Sequence, residues 1–321
     1  MSVGFVYDPI FLEHDTGDHP ENPRRMLAAM ALLESSGVLA RLTRIDARVA
    51  TPAELALAHD AAYVAAVERV ARDGGGWVDP DTLITPRSYD VAARAVGGTL
   101  AAVDAVMRGD VASAFCLVRP PGHHATPDQA MGFCIFNHIA VAARYARTAH
   151  GLDRVAIVDF DVHHGNGTQD IFYADPAVLY ISTHEYPFYP GTGAASETGE
   201  GEGGGATINI PMPHGSGDAE YRRAFEEVVV PALHRFRPQL ILVSAGYDAH
   251  FADEIAYQQL SVDGYGALVS MTKAAADVLS DGRIVAALEG GYHLVAMPWC
   301  VRRTIEILGD ETPTPDPLGR V

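Results

Sequence analysis

Short apolar runs recur along the chain, and three of them leave little freedom of fold. Val155–Val158, Leu240–Val243 and Ile284–Leu288 are apolar at every position. A strand with no polar alternation has both faces covered, as inside a parallel sheet wrapped by helices. Strand-like runs are predicted at Val3–Val6, Ala114–Val118, Arg154–Val158, Val178–Ser182, Ala206–Ile210, Gln239–Ser244 and Ile284–Leu288. Helix-like segments separate them at Asn22–Ser35, Asp60–Arg72, Pro86–Met107, Asp218–Phe236, Asp263–Leu279 and Met297–Leu308, with Asp218 and Asp263 placed as N-caps. The alternation predicts an α/β fold over residues 1–309: a single domain with a mainly parallel, multi-stranded sheet and helices on both faces. A Pro-rich C-terminal tail, expected to be loosely held, follows over 310–321.

Ligands of such sheets sit beyond the carboxyl ends of the strands. "RVAIVDFDVHHGNGTQD", Arg154 to Asp170, runs from an apolar strand straight into Asp159, Asp161, His163 and His164. Buried charge is costly unless it is paired or binds a metal. Four more polar clusters follow strand-like runs: "RPPGHHA" with His123 and His124, "STHEYPFYPGTG", "SAGYDAH" with Asp248, and "LEGGYHL" with Tyr292. Five clusters on one edge of one sheet describe a site.

In an extended segment side chains repeat every second residue, so Asp159, Asp161 and His163 share a face and His164 points away. Asp161-x-His163 supplies two ligands to one ion, and a catalytic zinc site typically takes three from the protein. Asp248 is the preferred third, and His250, at the same i, i+2 spacing, competes with it. Zn²⁺ is the default metal, with Fe²⁺ or Co²⁺ compatible with the same donors. Asp159, one step deeper, orients a histidine or binds a monovalent cation. His123 and His124 are placed as general base and general acid, and the Tyr292 phenol as a donor to a developing oxyanion. No G-x-S-x-G is present, and Cys116, Cys134 and Cys300 form no C-x-x-C pair, which excludes a cysteine-based zinc site.

Composition narrows the partners. The net charge is 23 − 41 = −18, which argues against nucleic acid and suits cationic substrates. The N-terminus lacks the basic and apolar regions of a signal peptide, and no apolar run approaches the ~18 to 20 residues of a membrane span. A cytoplasmic protein without membrane or nucleic-acid partners is expected, with a homo-oligomer left open.

The quoted motifs, in this order and spacing, resemble the histone deacetylase superfamily, which includes acetylpolyamine amidohydrolases and bacterial histone-deacetylase-like amidohydrolases. The resemblance runs from "HPENPRR" at His19 to about Leu308, and "HHGNGTQ" and "LEGGY" look like its class II branch. It implies an arginase/deacetylase-like fold and a zinc-dependent amidohydrolase acting on acetyl-lysine or an acetylpolyamine, either a peptide or a small molecule. It also implies metal ligands Asp161, His163 and Asp248, and a tandem catalytic pair His123 and His124. Asp159 would stand behind His123, and Asn166 where class I members carry an Asp behind the second histidine. Tyr292 matches the oxyanion-polarising tyrosine, Phe133 and Tyr189 the aromatic walls beside Gly132, and Arg25 the arginine of the acetate-exit channel. Asp81, with Asp79 as alternative, matches the rim aspartate that holds the substrate backbone. Ser182 and Thr183, with Asp159, Asp161 and His163, match a structural K⁺ or Na⁺ site. Glu254 stands one position short of the glutamate that recognises polyamines, which puts polyamine specificity in doubt. A non-catalytic acyl-amine binding protein and a two-metal ureohydrolase are the competing readings.

Overall fold

The computed structural model describes residues 2–319. Among these, eight strands form one sheet in the order β2-β1-β5-β10-β9-β6-β7-β8, and every pairing in it is parallel. The strands are β1 (Val3–Val6), β2 (Thr43–Ile45), β5 (Ser113–Cys116), β6 (Val155–Asp159), β7 (Val178–Glu185), β8 (Thr207–Met212), β9 (Leu240–Ala245) and β10 (Ile284–Leu288). β3 (Gly76–Asp79) and β4 (Thr82–Ile84) pair separately as an antiparallel hairpin. Every residue of β5, β6, β7, β9 and β10 is buried, the expected consequence of helices on both faces. These five strands lie side by side, and all five predicted polar clusters leave from their carboxyl ends. The edge strands β2 and β8 carry none.

The helices are α1 (Arg24–Ser35), α2 (Pro52–Leu55), α3 (Ala61–Arg72), α4 (Ser88–Arg108), α5 (His138–His150), α6 (Asn166–Phe172), α7 (Asp218–Ala224), α8 (Val230–Phe236), α9 (Val262–Leu279) and α10 (Ala296–Leu308). Two expectations change. The single helix expected over Asp218–Phe236 is broken by a π-turn at Phe225–Val229, because Pro231 has no N–H to give residue 227. Neither Asp218 nor Asp263 is an N-cap. Gly217 and Ser261 hold those positions, and the Asp218 carboxylate instead accepts from the Ser261 amide and hydroxyl. The tail is tied to α10: Glu306 accepts from the Thr314 amide and hydroxyl, at 3.0 and 2.7 Å. Its last two positions, Arg320 and Val321, lie outside the described residues. Among the described residues no helix is long and apolar enough to cross a membrane.

Candidate functional site

The sharpest feature beyond the sheet is a convergence of two carboxylates on one imidazole. Asp161 follows β6, Asp248 follows β9, and both side chains are buried. His163 Nδ1 lies 3.1 Å from Asp161 Oδ1 and 3.2 Å from Asp248 Oδ2. Backbone amides fix the remaining oxygens: Gly290 N–H donates to Asp161 Oδ2 at 2.8 Å, and Val162 N–H to Asp248 Oδ1 at 2.9 Å. The carboxylates approach because residue 290 is glycine. A Cβ there would stand 2.1 Å from Asp248 Oδ2 and 2.6 Å from Asp161 Oδ2.

The electrostatics of this trio are unbalanced. Burial and the Asp161 charge raise the Asp248 carboxyl to about 6. Burial opposes charge on His163, yet Asp161 and Asp248 outweigh it and raise the ring to about 9. One Asp248 oxygen, Oδ2, is buried without a hydrogen bond. Ligand atoms of Asp161, His163 and Asp248 all fall within 4.8 Å of one another, so one imidazole and two carboxylates suit a divalent cation. His250 is not brought to the pair: its Nδ1 accepts from the Ala252 amide at 3.1 Å. A second group, His123, Cys134 and Glu289, is equally close, but its atoms are already used. Cys134 Sγ takes the His124 amide and Glu289 the amides of Gly122 and His123.

His123 and His124 project from the loop after β5, with ring centroids 4.1 Å apart. His123 Nδ1 lies 3.1 Å from Asp159 Oδ2, which also accepts from the Tyr180 hydroxyl. Burial works against charge on His123, but Asp161 and Asp159 raise it to about 10. His124 goes the other way. Burial first, then the charges of His123 and His163, hold it well below the ordinary histidine value. Its Nδ1 lies 2.8 Å from Asn166 Oδ1, so the proton sits on Nδ1 and the Nε2 lone pair stays free. His164 is turned away, with Nδ1 2.8 Å from Thr192 Oγ1 and Nε2 3.1 Å from Gln169 Oε1.

A cavity of about 220 Å³ leads to these groups, lined by Phe133, Phe188, Tyr189, Ile255 and Tyr292, with Asp81 and Gly132 beside them. Gly132 and Phe133 both adopt positive φ, 56° and 68°. For Phe133 this is strained backbone, and it turns the ring onto the Tyr292 ring at 5.8 Å. The β3–β4 turn holds the bend: Asp81 Oδ1 accepts from Gly132 N–H at 3.2 Å, and Thr82 Oγ1 from Phe133 N–H at 3.0 Å. Asp79 stays out of the cavity lining and accepts from the Asp81 amide. Tyr189 meets the His124 ring edge-on at 5.2 Å, while Phe188, which the motif reading passed over, stacks on His163 at 5.5 Å. Glu254 also stays out. It lines a neighbouring cavity of about 470 Å³ with Asp18, His19 and Asp253, and Ile255 takes the place at the tunnel.

Tyr292 sits between the two cavities, its amide and that of His293 donating to Asp253 Oδ2 at 2.6 and 2.9 Å. Burial, partly offset by Arg25, pushes its phenol well above the ordinary tyrosine value. Arg25 lies 4.8 Å from the centre of that ring and donates to the carbonyls of Gly291 and Glu289. Ser182 pairs in register with Asp159, and the adjacent Thr183 Oγ1 is buried without a hydrogen bond. Among residues that sequence reasoning missed, Ile255 and Phe188 line the tunnel and Asp253 caps the Tyr292 turn. Glu289, inside the quoted "LEGGY", was visible as a charge closing an apolar strand.

The chain has known relatives in sequence and in fold. The model of the histone deacetylase domain matches residues 19–308. The chain is 43% identical over 317 residues to a "Histone deacetylase-like amidohydrolase" of Pseudomonas aeruginosa, covering 98% of this chain and 82% of that protein. It is 39% identical over 307 residues to the human "Polyamine deacetylase HDAC10", covering 91% of this chain and 45% of that one. The crystal structure of the HDA15 HD domain superposes with a TM-score of 0.92 at 38% identity, covering 98% of this chain and 91% of that one.

Proposed function

The chain belongs to the histone deacetylase domain family, and we propose that it hydrolyses the amide of an acylated primary amine, with acyl-lysine as the preferred carrier. The observation that carries the reading is the aromatic tunnel closing on the Asp161–His163–Asp248 cluster, with neutral His124 and protonated Tyr292 at its end. A narrow apolar slot suits the (CH₂)₄ stem of a lysine.

Asp161, His163 and Asp248 would hold a divalent cation, Zn²⁺ by default and Fe²⁺ or Co²⁺ on the same donors. When bound there, it supplies Lewis-acid polarisation of the amide carbonyl and acidifies the attacking water. His124 takes the proton of that water on Nε2, since Asn166 keeps Nδ1 occupied. Tyr292 donates to the carbonyl oxygen as charge gathers on it. The proton held by His124 passes to the leaving amine, while His123 stays charged against Asp159. Asp81 accepts from the substrate backbone at the mouth, and the acyl product leaves past Arg25. Asp159, Asp161, His163, Ser182 and Thr183 would surround a K⁺ or Na⁺ behind the site. A two-metal ureohydrolase gains no support, because His164 and Asn166 are engaged elsewhere.

Carrier preference rests on Ile255. Among the residues lining the tunnel besides the metal cluster, Asp81 is the acidic one, and Glu254 faces another cavity. Side-by-side kinetics on acetyl-lysine peptides, acetylputrescine, acetylcadaverine and acetylspermidine test the reading. Peptides are expected to lead by about tenfold or more in kcat/KM, or roughly 1.4 kcal/mol. A lead for acetylspermidine would reject the carrier, and no hydrolysis of any would reject the reaction. Ile255→Glu should move the ratio of acetylspermidine to peptide upward by about tenfold, by placing a carboxylate where a second ammonium arrives. An unchanged ratio would remove Ile255 from specificity.

A further inference from the structure

Just before the tandem histidines the loop passes through Pro120 and Pro121, which have no N–H, so the first backbone donors after them are Gly122 and His123. Both point at one atom, Oε2 of Glu289, at 2.6 and 3.2 Å. The other oxygen, Oε1, accepts from the Ser244 hydroxyl at 3.0 Å. Glu289 itself cannot drift: its N–H donates to Ala245 O at 3.0 Å, and its carbonyl accepts from Arg25 Nη2 at 2.6 Å. One carboxylate thereby ties the ends of β9 and β10 to the loop after β5.

This carboxyl is fully buried, and burial raises it to about 7. No Lys or Arg side chain is paired with it among the described residues; the nearest ring, His138, lies 3.6 Å away. A core that keeps a carboxyl in such a place bears a substantial desolvation cost. The return is visible in the histidines. Asp159 and Asn166 grip the ring nitrogens of His123 and His124 from the β6 side, while Glu289 grips the backbone from the β10 side. The backbone is also held by the His124 amide on Cys134 Sγ and by the Thr168 amide on His123 O, and Glu289 adds the hold that fixes the N–H groups of Gly122 and His123, just ahead of the ring of His124.

We propose that Glu289 is a positioning residue for the tandem histidines, a clamp that sets where His124 Nε2 points. The inference rests on the reading of that pair as the proton-transfer groups. Glu289→Gln is the informative variant. Its amide oxygen can still take both N–H groups and its NH₂ can donate to Ser244, so the shape survives while the carboxylate form, the stronger acceptor, is removed. A displacement of a proton acceptor by a fraction of an ångström is costly in rate.

The expected result for Glu289→Gln is a kcat about tenfold lower, with KM and zinc content within twofold of wild type. The amide proton signals of Gly122 and His123 should shift upfield in a heteronuclear NMR spectrum of the intact protein. Glu289→Ala should lose about a hundredfold in kcat. Wild-type kcat in Glu289→Gln would overturn the proposal, as would a fall matched by an equal loss of bound zinc. Unshifted amide signals would overturn the clamp itself. Should wild type hydrolyse no acyl amine, the functional reading fails alone, and the two amide signals still decide whether Glu289 holds the loop.

Discussion

Asp248→Asn should abolish the stabilisation of this protein by zinc while leaving the metal-free chain as stable as wild type. Asparagine keeps the oxygen that accepts from the Val162 amide and removes the charge that burial and Asp161 already disfavour. Without a cation, two buried carboxylates face each other across Gly290, offset by His163 against both and by His123 against Asp161. Removing one therefore costs the metal-free fold little. Wild type, at free Zn²⁺ about 1,000 times its Kd, should gain roughly 4 kcal/mol, or a Tm rise of roughly 5 to 10 °C. In Asp248→Asn the rise should vanish, and hydrolysis of an acyl-lysine peptide should fall by about 10³ or more, with its loss of the ion's contribution to the transition state. Calorimetry with and without zinc reads both quantities. A retained zinc-dependent rise would take Asp248 out of the ligand set and bring back His250, whose equal spacing in "DAH" made it the competitor.

The parallel sheet was legible because its central strands are apolar without alternation, and the polar ends of five of them announced an edge with chemistry. What escaped notice was hidden by burial or by loop path. α5 is the exception, since its periodicity is present: Ile139, Ala142, Ala143 and Ala146 are buried while Arg144, Arg147 and Thr148 leave the other face polar. α6 begins at Asn166, inside a motif being read for its histidines. Parity expects Asp159, Asp161 and His163 on one face and His164 on the other; Asp161 and His163 meet, Asp159 turns to His123 and His164 to Thr192 and Gln169, although the chain is no longer a strand beyond Asp159. Side-chain direction there is fixed by hydrogen bonds, with Asp159 Oδ1 accepting from the Asp161 amide and Asp161 Oδ1 from the His163 amide. Ile255, Phe188 and Asp253 had no pattern to reveal them, since a tunnel rim is built by loops whose course periodicity does not encode. Glu289 differs. A carboxyl closing the apolar run Ile284–Leu288 carries the same burial cost as Asp159 after Val155–Val158, so its signal is present in the sequence.

Tyr292→Phe isolates one hydrogen bond at the end of the tunnel. The phenol must be a donor for the assigned role, and burial, strengthened by the negative charges of Asp248 and Asp161 and only partly opposed by Arg25, keeps it protonated. Its position is set by backbone rather than by its hydroxyl: Asp253 takes the amides of Tyr292 and His293, and Arg25 holds the Gly291 carbonyl at 2.7 Å and packs on the ring. Phenylalanine can therefore occupy the same place against Phe133, and the change removes a donor without opening a cavity. A donor aimed at an oxygen whose charge grows during reaction contributes about 2.7 to 4 kcal/mol. The expected outcome is a kcat lower by about 10² to 10³, with KM, zinc content and Tm close to wild type. A tenfold rise in KM at unchanged kcat would instead make the hydroxyl a ground-state contact. Loss of bound zinc would mean that the turn after β10, and not the phenol, had been disturbed. The first pattern alone assigns Tyr292 to the transition state, because stabilisation that appears only as charge develops leaves ground-state binding untouched.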